Sequence, residues 1–139
     1  MNPLENKKIL VIDDARPPRK MLKRLLNDYG SVEFFEVDSI KNAKTILSTD
    51  TFNLIFCDYR LQDATSKTLL LWLKATENSN AETPIVIISS DLDKENIMES
   101  RSLGVKNFLV KPFNCGDLFN VLSNSLSWDK NNRNSFDQF

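Results

Sequence analysis

Four unbroken apolar runs punctuate the chain: ILVI from Ile9 to Ile12, LIFC from Leu54 to Cys57, IVII from Ile85 to Ile88, and FLV from Phe108 to Val110. None alternates with polar residues, which is the pattern of strands covered on both faces. A fifth run, VEFFEV from Val32 to Val37, mixes charges with its apolar residues and reads as an edge strand. The segments between the runs carry helical spacing. Pro17 and Pro18 suit a first helical turn, and Met21, Leu22, Leu25 and Leu26 then form one apolar face that ends near Gly30. Ser39 caps a second helix through Ile40, Ala43, Ile46 and Leu47, and Leu69, Leu70 and Leu73 mark a third. Ile97, Met98 and Leu103 give a weaker fourth closed by Gly104, and Asn114 with Asp117 opens a fifth through Leu118, Val121 and Leu122. Strand followed by helix, five times over, predicts an α/β fold: a parallel sheet between two helical layers, joined by right-handed crossovers.

After Leu126 the periodicity stops. The segment SWDKNNRNSFDQF is rich in Asn and Ser, so residues 1–126 are expected to form the domain and 127–139 a polar tail or linker. Trp128, Phe136 and Phe139 stand isolated in that tail and read as incidental rather than as a docking motif.

Composition narrows the chemistry. Across 139 residues, 18 basic side chains face 19 acidic ones, so no global charge draws the molecule to nucleic acid or to an anionic membrane. The apolar residues after Lys7 and Lys8 are too few for a secretory signal, and no run approaches a membrane span. Two cysteines without ligand-like spacing fit a reducing cytoplasm. With no histidine at all, Ser/His/Asp triads and histidine-ligated zinc are excluded. Three glycines leave little room for a dinucleotide fingerprint, and the absence of a Ser/Thr/Gly-rich loop after the first strand argues against a flavin carrier.

The residues that end the runs carry the chemistry. The first run stops at Asp13 and Asp14, the third strand at Asp58, the fourth at Ser89 and the fifth at Lys111, followed by Pro112. In open parallel sheets, ligands bind outside the carboxyl ends of the strands, so four segments deliver three carboxylates, a hydroxyl and an ammonium to one rim. Clustered carboxylates repel one another unless a cation intervenes. Mg²⁺, an oxygen-loving ion, together with Lys111 would bring the formal charge close to zero.

ILVIDD, LIFCD, PIVIIS and NFLVKPF, in that order and spacing, resemble the response-regulator receiver domains of two-component signalling from about Lys8 to Leu126. The resemblance implies a doubly wound, flavodoxin-like sheet of order 2-1-3-4-5 with five helices. It implies Asp58 as phosphoacceptor, and Mg²⁺ (or Mn²⁺) held by Asp14, Asp58 and the backbone carbonyl of Arg60, with Asp13 assisting through water. Lys111 and Ser89 would engage the phosphoryl oxygens, Ser89 and Phe108 would form the switch, and the Lys111–Pro112 bond would be cis. A sensor histidine kinase or histidine phosphotransfer protein would be the donor and an effector protein or domain the target, with a phosphorylation-dependent homodimer as a further partner. The chain departs from the family where proline and glycine usually follow the phosphoacceptor by four and eight positions; Gln62 and Ser66 stand there. Arg60 and Asp91, each two residues beyond a strand-end site residue, are read as a pair across the mouth that lengthens the phosphoryl lifetime. Two other readings stay open. A phosphorylation-independent scaffold would share the fold. An aspartyl-phosphate phosphohydrolase would need a second acid where Arg60 stands.

Overall fold

The computed structural model describes residues 3–126. Its elements follow the predicted alternation: β1 (Lys8–Ile12), α1 (Arg16–Asn27), β2 (Glu33–Val37), α2 (Ile40–Leu47), β3 (Leu54–Asp58), α3 (Ser66–Ala75), β4 (Ile85–Ser89), α4 (Lys94–Ser102), β5 (Asn107–Val110) and α5 (Cys115–Ser125). The five strands form one sheet in the order β2-β1-β3-β4-β5, every pair parallel. Trp128, Phe136, Phe139 and the rest of the tail lie outside the described residues.

Because successive strand residues face opposite sides, the apolar runs feed two cores at once. Ile9, Val11, Leu54, Phe56, Val86 and Ile88 pack with Leu22 and Leu26 of α1 and Leu118 and Leu122 of α5. Leu10, Ile12, Ile55, Cys57 and Ile87 face the other way, onto Ile40, Ala43 and Leu47 of α2 and Leu69, Leu70 and Leu73 of α3. The helix starts follow local chemistry. Pro17 and Pro18 occupy the first turn of α1, Ser39 accepts from the Asn42 N–H, and Asn114 and Asp117 form a reciprocal capping box on α5.

Two expectations need correction. The proposed apolar face of α4 is only partly buried: Leu103 packs against the second core, but Met98 is 60% exposed, and Ser100 is the helix's buried residue. The FLV run is not covered on both faces either, since β5 is the second sheet edge and Val110 is 55% exposed. An edge strand with a weakly amphipathic helix beside it has less apolar surface opposite each side chain, so the same residue types stay wet. Gly104 does close α4, at φ +101°, where a Cβ would be strained.

Candidate functional site

Parallel pairing sets the ends of the strands at one edge. Asp58 is the last residue of β3 and Ser89 of β4; Asp13 and Lys111 immediately follow β1 and β5. Backbone bonds continue the ladder past the strands: the Asp13 N–H donates to Val37 O at 3.1 Å, the Tyr59 N–H to Ile88 O at 2.8 Å and the Lys111 N–H to Ser89 O at 2.9 Å. The Lys111–Pro112 peptide bond is cis.

These anchors bring the charged groups together. Lys111 Nζ lies 3.2 Å from Asp13 Oδ2 and 3.6 Å from Asp58 Oδ2. Carboxylate oxygens of Asp13, Asp14 and Asp58 all lie within 4.8 Å of one another. Asp13 is buried, while Asp14 and Asp58 are half-buried at the mouth. Burial pushes the Asp58 carboxyl above the usual carboxylate range and Asp13 adds to the rise, which Lys111 and the Arg60 N–H only partly offset. Three carboxylates against one ammonium leave an excess of negative charge in a desolvated cleft. A donor set of oxygens alone, without thiolate or imidazole, fits a hard divalent cation.

Ser89 is buried, and its hydroxyl oxygen accepts from the Asp91 N–H at 3.1 Å, so the hydroxyl hydrogen remains free to donate. Phe108 is half-buried against the second core, with the Arg101 guanidinium 5.7 Å from its ring centre. Arg60 and Asp91 are exposed and form no ion pair with each other among the described residues; the Arg60 guanidinium instead stands 5.3 Å from the centre of the Tyr59 ring. Burial pushes the Cys57 thiol strongly upward, leaving it a protonated core residue.

The structure adds residues that the sequence reading did not single out. Arg19 Nη1 donates to the Asp13 carbonyl oxygen at 2.7 Å, and Arg19 Nε donates to Glu36 Oε1 at 3.1 Å, tying the acidic turn to β2. Asp63 reaches from the loop after β3 to the start of α2. Beside Asp13 and Lys111, a cavity of about 520 Å³ opens between α1 and the segment after β5, lined by Pro17, Met21, Pro112 and Phe113 among others.

The sequence matches the family described as response regulator receiver domain over residues 9–123. The chain belongs to that family. It is 30% identical over 114 residues to the chemotaxis protein CheY-3 of Vibrio cholerae, covering 82% of this chain and 87% of the relative. Its fold matches the chemotaxis response regulator CheY4 of Vibrio cholerae at a TM-score of 0.78 with 25% identity, over 87% of this chain and 99% of that one. It also matches the receiver domain of the sensor histidine kinase PA1611 of Pseudomonas aeruginosa, a structure with a magnesium ion coordinated in its active-site cleft. That match has a TM-score of 0.74 and 19% identity, over 88% and 98% of the two chains. Among the described residues, no helix is long and apolar enough to cross a membrane.

Proposed function

We propose that Asp58 accepts a phosphoryl group from a phosphohistidine on a sensor kinase or phosphotransfer protein, and that the resulting acyl phosphate switches a partner-binding surface. The observation that carries this reading is the Lys111 ammonium 3.6 Å from Asp58 in a cleft that already holds two further carboxylates. An Asp58 carboxylate oxygen attacks phosphorus, a P–O bond forms, the donor's P–N bond breaks, and the imidazole leaves with the electron pair. Lys111 stands where it can pair with the phosphoryl oxygens, and positioning does most of the rest. A Mg²⁺ or Mn²⁺ ion held by Asp14, Asp58 and the Arg60 carbonyl, with Asp13 engaged through water, would supply the remaining neutralisation of phosphoryl charge.

The product carries about one more negative charge than the carboxylate. The Ser89 hydroxyl can answer it with a bond contributing about 1.5 to 3 kcal/mol, enough to bias a two-state equilibrium. Movement of Ser89 toward the phosphoryl group would open space for Phe108 to turn inward and reshape the surface of β5 and α4. Under this reading the chain works in the cytoplasm as a phosphoacceptor, catalysing at most its own phosphorylation and dephosphorylation. It hands its state to an effector, with homodimerisation as one output.

Intact mass after incubation with acetyl phosphate and Mg²⁺ tests the reading. Wild type should gain one phosphoryl group, Asp58→Ala none, and Lys111→Ala should react roughly 100-fold more slowly or worse, as expected for removal of one preorganised charge partner. Equal uptake by Asp58→Ala, or catalytic turnover of a phosphate ester, would end it.

A further inference from the structure

The loop that follows Asp58 is closed at its base and tethered at its tip. The Leu61 N–H donates to Ala64 O at 3.0 Å, the Ser66 N–H donates to Tyr59 O at 2.8 Å, and Arg60 pairs with Thr65 as an antiparallel bridge. Gln62 and Asp63 form the tip. The Asp63 carboxylate, which also takes its own N–H and that of Ala64 within the loop, reaches across to the start of α2, accepting from the Ile40 N–H at 3.1 Å through Oδ1 and from the Lys41 N–H at 3.0 Å through Oδ2. Ser39 Oγ takes the Asn42 N–H at 3.0 Å, so the first three donors of α2 are all satisfied, two of them by a residue more than twenty positions away. Burial works against ionisation here, yet the N–H groups of Lys41 and Ile40 hold the Asp63 carboxyl below its usual range, as an anion at a helix N-terminus should be held.

The loop's own helix receives no such service. Thr65, the N-cap of α3, makes no side-chain cap bond, and the neighbouring Ser66 hydroxyl is buried with no partner among the described residues. The loop also carries Gln62 and Ser66 rather than the proline and glycine usual in the family, so no ring pre-sets its backbone. Its base is therefore held by its own backbone bonds, and its tip is tied from outside, by α2.

We propose that Asp63 is a positioning residue for the site: bound to the N-terminus of α2, it fixes the Arg60–Thr65 loop so that the Arg60 carbonyl is presented to the cation of the acidic cluster. This rests on the reading that Asp14, Asp58 and the Arg60 carbonyl take a divalent metal. It also makes α2 a part of the site, because whatever loosens the first turn of α2 loosens the loop.

Two variants separate positioning from simple capping. Asp63→Ala removes the tether, two cap bonds and the carboxylate's own bonds within the loop; Ser39→Ala removes one cap bond of the same helix and leaves the loop attached. In calorimetric titration of the folded chain with Mg²⁺, Asp63→Ala should bind about tenfold more weakly, the scale of losing a supporting partner of a ligand. Ser39→Ala should stay near wild type, and Asp63→Asn, which keeps one acceptor oxygen, should fall between. Wild-type affinity in Asp63→Ala, or an equal loss in Ser39→Ala, overturns the proposal. Amide hydrogen exchange without metal reads the tether independently: Asp63→Ala should speed exchange at Leu61 and Ser66 by about tenfold, the effect expected from losing bonds to a charged acceptor. Unchanged exchange there overturns the proposal even if the metal reading stands. If wild type itself fails to bind Mg²⁺, it is the functional reading that falls, and exchange still decides whether Asp63 orders the loop.

Discussion

The hydroxyl of Ser66 is fully buried in the first turn of α3 and meets no hydrogen-bond partner among the described residues. A desolvated, unpaired hydroxyl costs roughly 1 to 3 kcal/mol, and alanine is the better helix former. Ser66→Ala should therefore raise stability by about 1 kcal/mol in urea unfolding; a loss of that size would mean that the hydroxyl has a partner in solution. The contrast with Asp13, Asp58, Ser89 and Lys111 shows what a sequence exposes at this scale. Those four stand where an apolar run stops, so the end of the strand marks both the residue and the edge to which it is delivered. The ties of Arg19 to the acidic turn and of Asp63 to α2 were not legible because they end on backbone atoms: the Asp13 carbonyl, and the Ile40 and Lys41 N–H groups. Every residue type offers those atoms, so no pattern of side chains announces the contact. The expected pairing of Arg60 with Asp91 is not formed among the described residues, for a related reason. Spacing from the strand ends puts two charges near one rim, but it does not set the direction of a long exposed side chain, and the Tyr59 ring beside Arg60 offers a different partner.

At the level of elements, every strand and helix was readable, and what the pattern missed at the β5 edge was the degree of burial. Leu69, Leu70 and Leu73 of α3 are all buried, as their spacing requires, whereas α4 is held by contacts that carry no periodicity. Glu99 pairs with Lys67 of α3 at 3.0 Å, and Arg101 stands over Phe108. The other edge has a stronger polar tie. Glu36 of β2 takes Arg19 at 3.1 Å and Lys20 at 3.0 Å, with side chains of Glu36 and Arg19 only 21% and 16% exposed. Burial alone would push the Glu36 carboxyl up, but hydrogen bonds from Lys20 and Arg19 bring it below its usual value. A carboxyl depressed in the folded state stabilises above its unfolded value of about 4.3 and loses that contribution as pH falls through the lower folded value. Glu36→Gln should therefore be less stable than wild type at pH 7, with the gap closing in strong acid. Urea midpoints taken across that range decide it, and a gap that persists unchanged in acid would assign the loss to packing.

For the molecule as a whole, near-neutral net charge conceals a strongly negative cleft, and the same substitution should act in opposite directions with and without metal. Burial raises the Asp58 carboxyl, with Asp13 reinforcing the effect. A raised acid gives stability that is present at low pH and lost as pH rises through the folded value, so at pH 7 the ionised Asp58 weighs against the metal-free fold. Asp58→Asn removes that charge while keeping the shape, and in the presence of a chelator it should melt above wild type. Added Mg²⁺ reverses the order. A ligand that binds only the native state at 100 times its Kd stabilises by about 2.7 kcal/mol, and wild type should gain close to that. Asp58→Asn, lacking one of the three clustered carboxylates, should gain much less. Thermal midpoints measured in chelator and across a Mg²⁺ series would show the two curves crossing. If Asp58→Asn is no more stable than wild type in chelator, the carboxylates are not in conflict in the empty fold; if both gain equally from Mg²⁺, the ion binds elsewhere.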